Sequence, residues 1–368
     1  MLQMILALSG GLALFLYGMQ GMANGLQKAA GDRMRRILEV LTGTPVLGVL
    51  VGAFVTALIQ SSSATTVMVV GFVNAGLMSL SQAVGVIMGA NIGTTVTAQI
   101  VAFKISQFIL PIIALGWAIN FFGKSKSTKY LGQVLFGFGV LMLGMDTMSK
   151  AMAPLSQNEG FISAMHSFQD HPLLALVVGA VLTALIQSSS AAIGILIALA
   201  SQGLVSLEAA LPVLLGCNVG TCITAVLASF GANLAAKRAA LAHVLFNVIG
   251  SIIFLVLLNQ YSNVVRLFPG TIERQIANAH TLFNVINTVI FLPFVSRFVG
   301  LVVKIVPGKE EILVRGPLYL DDRMVKTPAI ALSLATKEIV RMANLAHQMV
   351  LEAMESFLRR DEHKAQWV

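Results

Sequence analysis

Hydrophobic residues in this chain form long runs that charged residues interrupt at only a few places. Residues 40–103 contain no Asp, Glu, Lys, Arg or His, and residues 173–236 contain Glu208 as their only charged residue. About 20 apolar residues are enough for a helix to cross a bilayer. The pattern therefore predicts long apolar helices at residues 2–22, 82–103, 108–122, 131–151, 207–229, 239–258 and 278–306.

Two further apolar segments, residues 46–77 and 173–204, are each divided by the sequence Gln-Ser-Ser-Ser. An apolar run that is short for a span and stops at a polar tip suits a re-entrant hairpin, which returns to the side of the membrane where it entered. Two full crossings would also return the chain to the side where it entered, so both alternatives stay open.

The two halves of the chain are copies of each other. At a constant offset of 127, residues 52–103 match residues 179–230 without a gap, with 24 identities in 52 positions. The helices before them correspond at an offset of 126. We predict an all-α, polytopic membrane protein with a first repeat at residues 1–123, a second repeat plus an extra C-terminal span at residues 124–310, and a cytoplasmic amphipathic helical tail at residues 311–368.

Composition supports a membrane protein, because 57% of the residues are hydrophobic and 11% are charged, against about 25% charged residues in soluble domains. The net charge of +8 does not indicate nucleic-acid binding, since the cations lie beside the apolar runs and indicate topology. With seven spans, nine loop cations fall on one side and four on the other: Lys28, Arg33, Arg35, Arg36, Lys124, Lys126, Lys129, Lys237 and Arg238 against Lys104, Lys150, Arg266 and Arg274.

This asymmetry predicts the orientation. Because cytoplasmic loops carry the excess of Lys and Arg, we expect the N-terminus outside the plasma membrane and the C-terminus in the cytoplasm. The basic loop after the first helix would then be cytoplasmic and its counterpart around residues 150–171 external. The two repeats would be inverted in the membrane, as in many secondary transporters.

The two Gln-Ser-Ser-Ser segments are the first candidate site. Consecutive polar side chains inside an apolar hairpin are costly unless they find partners, and hydroxyls and amides can bind both an oxyanion and a hard metal ion. Thr56 and Thr183, four residues before each Gln, share its helical face. Helix packing through Ser and Thr is the alternative, but two copies at matched positions favour a functional site.

A second constellation follows each hairpin, as Gly-x-Asn-x-Gly-Thr at residues 89–94 and 216–221. Glycines inside a helix weaken it, so we expect a broken helix in each repeat, with freed backbone groups for ions. A close-packed interface of small residues is the alternative. A third, weaker signal is His-x-x-x-Asn at residues 243–247 and 280–284, where a packed histidine is favoured over a proton relay.

The absence of cationic side chains from the repeat cores predicts that binding of an anion is coupled to binding of a mobile cation. Neither charge-poor segment contains Arg or Lys, and burying a multivalent anion without a partner is prohibitive. Mobile cations can supply the missing charge, so neither ion would be stable without the other. Na⁺ fits because the available ligands are neutral oxygens, whereas protons have no carboxylate relay here.

Duplicated Gln-Ser-Ser-Ser hairpins, each followed by Gly-x-Asn-x-Gly-Thr, resemble the type II sodium/phosphate cotransporter family over about residues 5 to 306. The resemblance implies sodium-driven phosphate transport across the plasma membrane, with both segments meeting at the substrate. The expected phosphate-binding residues are Gln60, Ser61, Ser62, Ser63, Gln187, Ser188, Ser189, Ser190, Asn91 and Asn218. The expected sodium-binding residues are Thr56, Thr65, Thr66, Thr94, Thr95, Thr97, Thr183, Thr221 and Thr224.

Other functions stay open at this point. A carrier or exporter of another oxyanion would use the same residues, and a non-transporting membrane sensor would signal through the tail. The sequence of the tail predicts an amphipathic helix that is capped by Thr327 and starts at Pro328. Such a helix needs a second copy of the chain or a regulatory protein as its partner. It resembles the start of a PhoU-like helical domain. An enzyme is least favoured, since the sequence contains no recognisable nucleophile–base pair, P-loop or metal-ligand spacing.

Overall fold

A computed structural model describes residues 2–30, 43–103, 105–308 and 328–359, and all regular structure in these ranges is helical. Contacts divide the chain into two units, Met1–Glu310 and Glu311–Val368. The predictions made for Arg33, Arg35, Arg36, Lys104 and Thr327 lie outside the described residues.

Within residues 2–30, 43–103 and 105–123, the first half contains five helices with an added 3₁₀ turn at Ser106–Phe108: α1 (Leu2–Ala30), α2 (Pro45–Ile59), α3 (Ser62–Asn74), α4 (Leu80–Val101) and α5 (Ile109–Phe122). The second half repeats this order with two added short helices: α6 (Lys126–Met152), α7 (Glu159–Asp170), α8 (Pro172–Ile186), α9 (Ser189–Ser201), α10 (Leu207–Thr221), α11 (Ile223–Ala228) and α12 (Leu234–Val256). Three more helices complete this unit, namely α13 (Leu258–Arg266), α14 (Ile272–Phe291) and α15 (Val295–Ile305), and the second unit contains α16 (Pro328–Arg359).

Six helical segments in the described ranges are long and apolar enough to cross a membrane: Leu2–Ala29, Leu80–Val101, Lys126–Gln157, Leu207–Ala228, Leu234–Val256 and Ile272–Ile305. They confirm a multi-pass, all-helical membrane protein. The bent pair α7–α8 would add a seventh if it formed one span. The predicted span at residues 108–122 belongs to a shorter apolar helix, Ser106–Phe122, which at about 1.5 Å per residue falls short of a hydrocarbon core of roughly 30 Å.

The predicted helix break is wrong for the first repeat, because α4 runs without interruption through Gly89, Asn91 and Gly93. These glycines instead let the backbone of α2 approach. A Cβ atom on Gly89 would lie 2.0 Å from the carbonyl oxygen of Val49, and one on Gly93 would lie 2.4 Å from that of Ala53. The close-packed interface, the alternative interpretation, therefore describes this segment.

The second repeat has the same interface and, in addition, an interruption. A Cβ atom on Gly216 would lie 1.9 Å from the carbonyl oxygen of Leu176, so α10 packs on α8 as α4 packs on α2. The helix assignment is interrupted at one residue, Cys222, which keeps helical dihedral angles (φ −64°, ψ −19°) between α10 and α11. In the described residues, the predicted break is therefore reduced to this one-residue turn, which lies after the Gly-x-Asn-x-Gly-Thr segment of the second repeat.

The repeat-equivalent helices α1 and α6 lie side by side and run in opposite directions. A Cβ atom on Gly18 would lie 2.6 Å from the carbonyl oxygen of Gly137, and one on Gly144 would lie 2.6 Å from that of Gly11. Since Gly11 and Gly18 correspond to Gly137 and Gly144, each contact is the repeat-exchanged copy of the other. Gly25 approaches Val134, so the number of the residue contacted on α6 falls as that on α1 rises.

Side-chain burial agrees with a helical bundle in lipid. A core centred on α6, α9, α10 and α14 buries large side chains completely, among them Phe15, Leu141 and Phe283. The outer faces carry exposed apolar residues such as Leu110 and Val256. In a soluble protein such surfaces would drive association, whereas a bilayer covers them.

Candidate functional site

Both Gln-Ser-Ser-Ser segments fold into the same tight connection between two helices. We call residues 60–63 tip 1 and residues 187–190 tip 2. Gln60 ends α2 and Gln187 ends α8, each with φ of 58°, and they are the only non-glycine residues with positive φ in the described part of the chain. This left-handed conformation costs about 1–2 kcal/mol for a residue with a Cβ atom. The same strained turn is therefore built twice.

Backbone and hydroxyl hydrogen bonds hold each tip in place. The Gln60 and Gln187 N–H groups donate to the Thr56 and Thr183 carbonyl oxygens, each at 2.7 Å. The following serine caps the next helix: Ser61 Oγ accepts from the Ala64 N–H at 3.2 Å, and Ser188 Oγ accepts from the Ala191 N–H at 3.3 Å. Within the motif, Gln thus ends one helix, the first Ser caps the next, and the last two Ser form its first turn.

All eight tip residues line one cavity of about 350 Å³, which we call the first cavity. Thr94 of α4 and six residues of α1 complete its walls. The lining residues from α1 are Leu16, Met19, Gln20, Ala23, Asn24 and Gln27. The structure thus brings together segments that are 127 residues apart in the sequence.

Each repeat also contacts the tip of the other. The hydroxyl oxygens of Thr94 and Ser190 are 3.4 Å apart, and Thr224 Oγ1 donates to Ser63 Oγ at 3.4 Å. Ser63 and Ser190 are equivalent positions. The helix that follows one hairpin therefore contacts the tip of the other hairpin, which fixes the two tips relative to each other.

The electrostatic character of the first cavity comes from backbone and neutral side chains. The N-termini of α3 and α9 begin at Ser62 and Ser189, so their first-turn N–H groups have no acceptor within the helix. Helix N-termini favour negative charge. None of the described residues that line the cavity is charged, so an anion bound here would need a mobile cation.

Of the nine predicted sodium-binding threonines, Thr94 lines the first cavity and Thr183 is buried, and the other seven divide into two groups. Behind tip 1, Thr97 Oγ1 donates to Gln60 Oε1 at 2.8 Å, and Thr56 Oγ1 donates to Thr65 Oγ1 at 2.9 Å. Thr66 is also buried there. Together they form a layer of neutral oxygens under the first tip. Three hydroxyls instead donate to a backbone carbonyl oxygen three or four residues earlier in the chain, those of Thr95, Thr221 and Thr224.

Asn91 and Asn218 do not line the first cavity. Asn218 Oδ1 accepts a hydrogen bond from Asn284 Nδ2 at 3.3 Å and lies 3.3 Å from His280 Nε2. This buried cluster joins α10 to α14. His280 is thus a packed histidine with a polar partner, and His243 is also buried. In the described ranges, no group of three His, Cys, Asp or Glu residues could hold a metal ion.

Sequence reasoning missed the contribution of α1 to the cavity. Gln20, Asn24 and Gln27 place three amides on its lining. Their spacing of four and then three residues puts them on one face of a helix. That stripe of amides on an otherwise apolar span was the available signal, because polar residues at membrane depth usually face protein or water.

Sequence comparisons identify relatives over most of the chain. The sequence model of the family described as Na+/Pi-cotransporter matches twice, at residues 14–150 and 144–270. The Bacillus subtilis protein named "Uncharacterized protein YqeW" is 33% identical over 295 residues, which are 80% of this chain and 96% of that protein.

Two further relatives have names that mention phosphate. The Escherichia coli protein named "Putative inorganic phosphate export protein YjbB" is 30% identical over 94% of this chain, which spans 64% of that protein's length. "Sodium-dependent phosphate transport protein 2A" of Rattus norvegicus is 41% identical over 95 residues, 25% of this chain and 15% of that protein. No solved structure matches this chain significantly.

Proposed function

Because this chain belongs to the Na+/Pi-cotransporter family, we propose that it is a secondary active transporter that couples Na⁺ to the movement of inorganic phosphate across the plasma membrane. The observation that carries the proposal is the first cavity, where both tips meet without a charged side chain among the described lining residues. The family is a transporter family.

Phosphate would bind between the two tips. The N–H groups at the starts of α3 and α9 and the hydroxyls of Ser62, Ser63, Ser189 and Ser190 can all donate hydrogen bonds to its oxygens. A phosphate group carries about −1.5 to −2 charges near neutral pH. Helix dipoles amount to only about half a charge at each end, so two of them leave part of the anion's charge unbalanced.

Na⁺ would supply the remaining charge. The oxygen layer behind tip 1, formed by Gln60, Thr97, Thr56 and Thr65, offers the neutral oxygens that a sodium ion accepts. Because each ion makes the cavity more favourable for the other, binding of one must raise the affinity for the other by the same factor. Thr95 and Thr221, whose hydroxyls are bound to their own helices, are not needed for this arrangement.

The same proposal includes inverted repeats, re-entrant hairpins, an external N-terminus and a cytoplasmic C-terminus. The antiparallel pairing of the equivalent helices α1 and α6 supports inversion. The hairpin helices have 15, 13, 15 and 13 residues, which is shorter than the roughly 20 residues of a full span. That length supports hairpins that turn back inside the membrane.

Phosphate export is the second candidate, because the YjbB relatives that match 94% of this chain carry that name. The same cavity would serve either direction, and the gradients of Na⁺ and phosphate would decide which one occurs. Another oxyanion of similar shape, such as sulfate or arsenate, is distinguished by competition.

Uptake by purified protein in liposomes tests the proposal. We expect radiolabelled phosphate to accumulate under an inward Na⁺ gradient and not under a choline gradient, because choline cannot occupy an oxygen-lined sodium site. Equal uptake in the two salts would contradict coupling to Na⁺. Loading the liposomes with phosphate and reversing the gradient measures export, and unlabelled sulfate or arsenate in excess measures selectivity.

The role of the tail stays a prediction. Helix α16 exposes apolar residues at several turns, including Leu332, Ile339 and Met342, which agrees with an amphipathic helix that binds a second copy or a regulatory protein.

A further inference from the structure

A second cavity of about 250 Å³ lies outside the site described above. Its polar lining includes Asp146, Ser149 and Lys150 of α6, together with Ser201 and Gln202 at the end of α9. Lys150 Nζ lies 2.6 Å from Asp146 Oδ2, Ser149 and Ser201 are joined through their hydroxyls, and Gln202 Nε2 donates to Ser149 Oγ at 2.8 Å.

The residues that α6 contributes to the second cavity are the repeat counterparts of those that α1 contributes to the first. At the offset of 126, Met142, Met145, Asp146, Ser149 and Lys150 correspond to Leu16, Met19, Gln20, Ala23 and Asn24. Every described α6 residue in the second cavity therefore has its equivalent in the first. The two cavities use the same face of the duplicated helix.

The two cavities lie at opposite ends of the α1–α6 pair. Each is lined by the C-terminal half of its helix. Because α1 and α6 are antiparallel, with Gly11 beside Gly144 and Gly25 beside Val134, those C-terminal halves point in opposite directions. If α1 and α6 span the bilayer, the cavities face opposite sides of the membrane.

Helix α9 connects the two cavities across an apolar layer. Ser190 lines the first cavity and Ser201 the second, a separation of about 16 Å along a helix with 1.5 Å rise per residue. Between them, Ile193 is fully buried and Gly194 packs on Phe15, whose Cζ atom would be 2.7 Å from an added Cβ. The tips are thus reached from the first cavity and separated from the second.

We propose that the second cavity is the opposite mouth of the transport path and that α6 lines it as α1 lines the first mouth. This inference rests on the proposed function. In the state seen here the path is open on the side of the first cavity. If the two repeats exchanged conformations, the apolar layer beside α6 would open and the path beside α1 would close. Phosphate and Na⁺ would then reach the tips from the side of the second cavity.

Matched cysteine variants test the proposal. Ala23→Cys and Ser149→Cys occupy equivalent positions in the two cavities, and Met19→Cys with Met145→Cys is a second matched pair if the first does not fold. Each is labelled in sealed vesicles with a membrane-impermeant maleimide from one side or the other. In each pair, we expect the α1 variant to be labelled from one side of the membrane and the α6 variant from the other. Labelling from the favoured side should be about tenfold faster than labelling from the opposite side, since a minor conformational state is commonly populated at 10% or less.

The unaltered chain measures the background, because its two native cysteines are buried. Exposed positions, Lys126→Cys and Ser163→Cys, mark the two sides of the membrane. Changing Na⁺ and phosphate should alter labelling of Ala23→Cys and Ser149→Cys in opposite senses and leave the marker positions unchanged. Labelling of both cavities from the same side, or changes in the same sense, would overturn the proposal. Phosphate uptake by the same variants is measured in parallel, so failed transport is distinguished from a misplaced mouth.

Discussion

The two tips have the same sequence and the same backbone but different surroundings. Gln60 and Gln187 share a φ of 58°, yet Gln60 is only 6% exposed and Gln187 is exposed. Gln60 accepts a hydrogen bond from Thr97, whereas the equivalent Thr224 hydroxyl lies 3.0 Å from the Thr221 carbonyl oxygen and 3.4 Å from Ser63 Oγ. Duplication has thus kept the turn while its neighbours have diverged.

Two local differences accompany the divergence. Thr224 lies on α11, after the turn at Cys222, whereas Thr97 lies on the continuous helix α4. The positions equivalent to Thr65 and Thr66 are Ala192 and Ile193, so the second hairpin has no hydroxyls there. The oxygen layer is therefore a property of the first repeat. We infer that tip 1 serves both ions, whereas tip 2 serves mainly the anion.

The largest expected effect comes from removing the two glutamine side chains. Gln60→Ala should lower phosphate uptake about a hundredfold, since it removes a proposed ligand and also leaves the buried Thr97 hydroxyl without its acceptor, a combined cost of roughly 3 kcal/mol. Gln187→Ala should lower uptake only about tenfold, because no buried partner is orphaned. Equal losses, measured as initial uptake rates at matched protein incorporation, would contradict the difference between the tips.

A smaller effect is expected from the threonines behind the tips. Thr97→Val should raise the Na⁺ concentration for half-maximal uptake about tenfold, because it removes an oxygen beside Gln60 and frees that side chain to move, at a cost near 1.4 kcal/mol. Thr224→Val is the matched control and should change this concentration by less than about twofold, since the Thr224 hydroxyl contacts the Thr221 carbonyl oxygen at 3.0 Å and does not contact either tip glutamine. A larger shift for Thr224→Val would place the sodium site in the second repeat.

The sequence predicted the features that depend on repetition and hydrophobicity. Long apolar runs identified the six spans, and matched motifs identified the two tips that the structure brings into one cavity. Periodicity could not distinguish a glycine that breaks a helix from one that admits a neighbouring backbone. Gly89 is of the second kind, because the carbonyl oxygen of Val49 lies where a Cβ atom on residue 89 would be. This contact depends on tertiary packing.

The difference between Gln60 and Gln187 was equally hidden from the sequence. Identical motifs predict identical turns, and the structure has them. Burial of the Gln60 side chain depends instead on its neighbours in the fold, among them Thr97 of α4, which donates a hydrogen bond to it. The spacing of the α1 amides indicates that they share one face of a helix, but only the fold shows that Gln20 and Asn24 line the same cavity as the tips.

The smallest expected effect is one that should be equal in the two repeats. Ser61 and Ser188 cap α3 and α9 with nearly the same geometry, at N–H to Oγ distances of 3.2 and 3.3 Å. Replacing either by Ala should lower the free energy of unfolding by about 1 kcal/mol, the usual value of an N-terminal cap. Thermal unfolding in detergent measures this loss, with Ser163→Ala at an exposed position of α7 as the control. Because the backbone of the tips is shared and only their surroundings differ, the stability losses should match even though the glutamine variants differ in transport. A clearly unequal pair would mean that the two turns themselves have diverged.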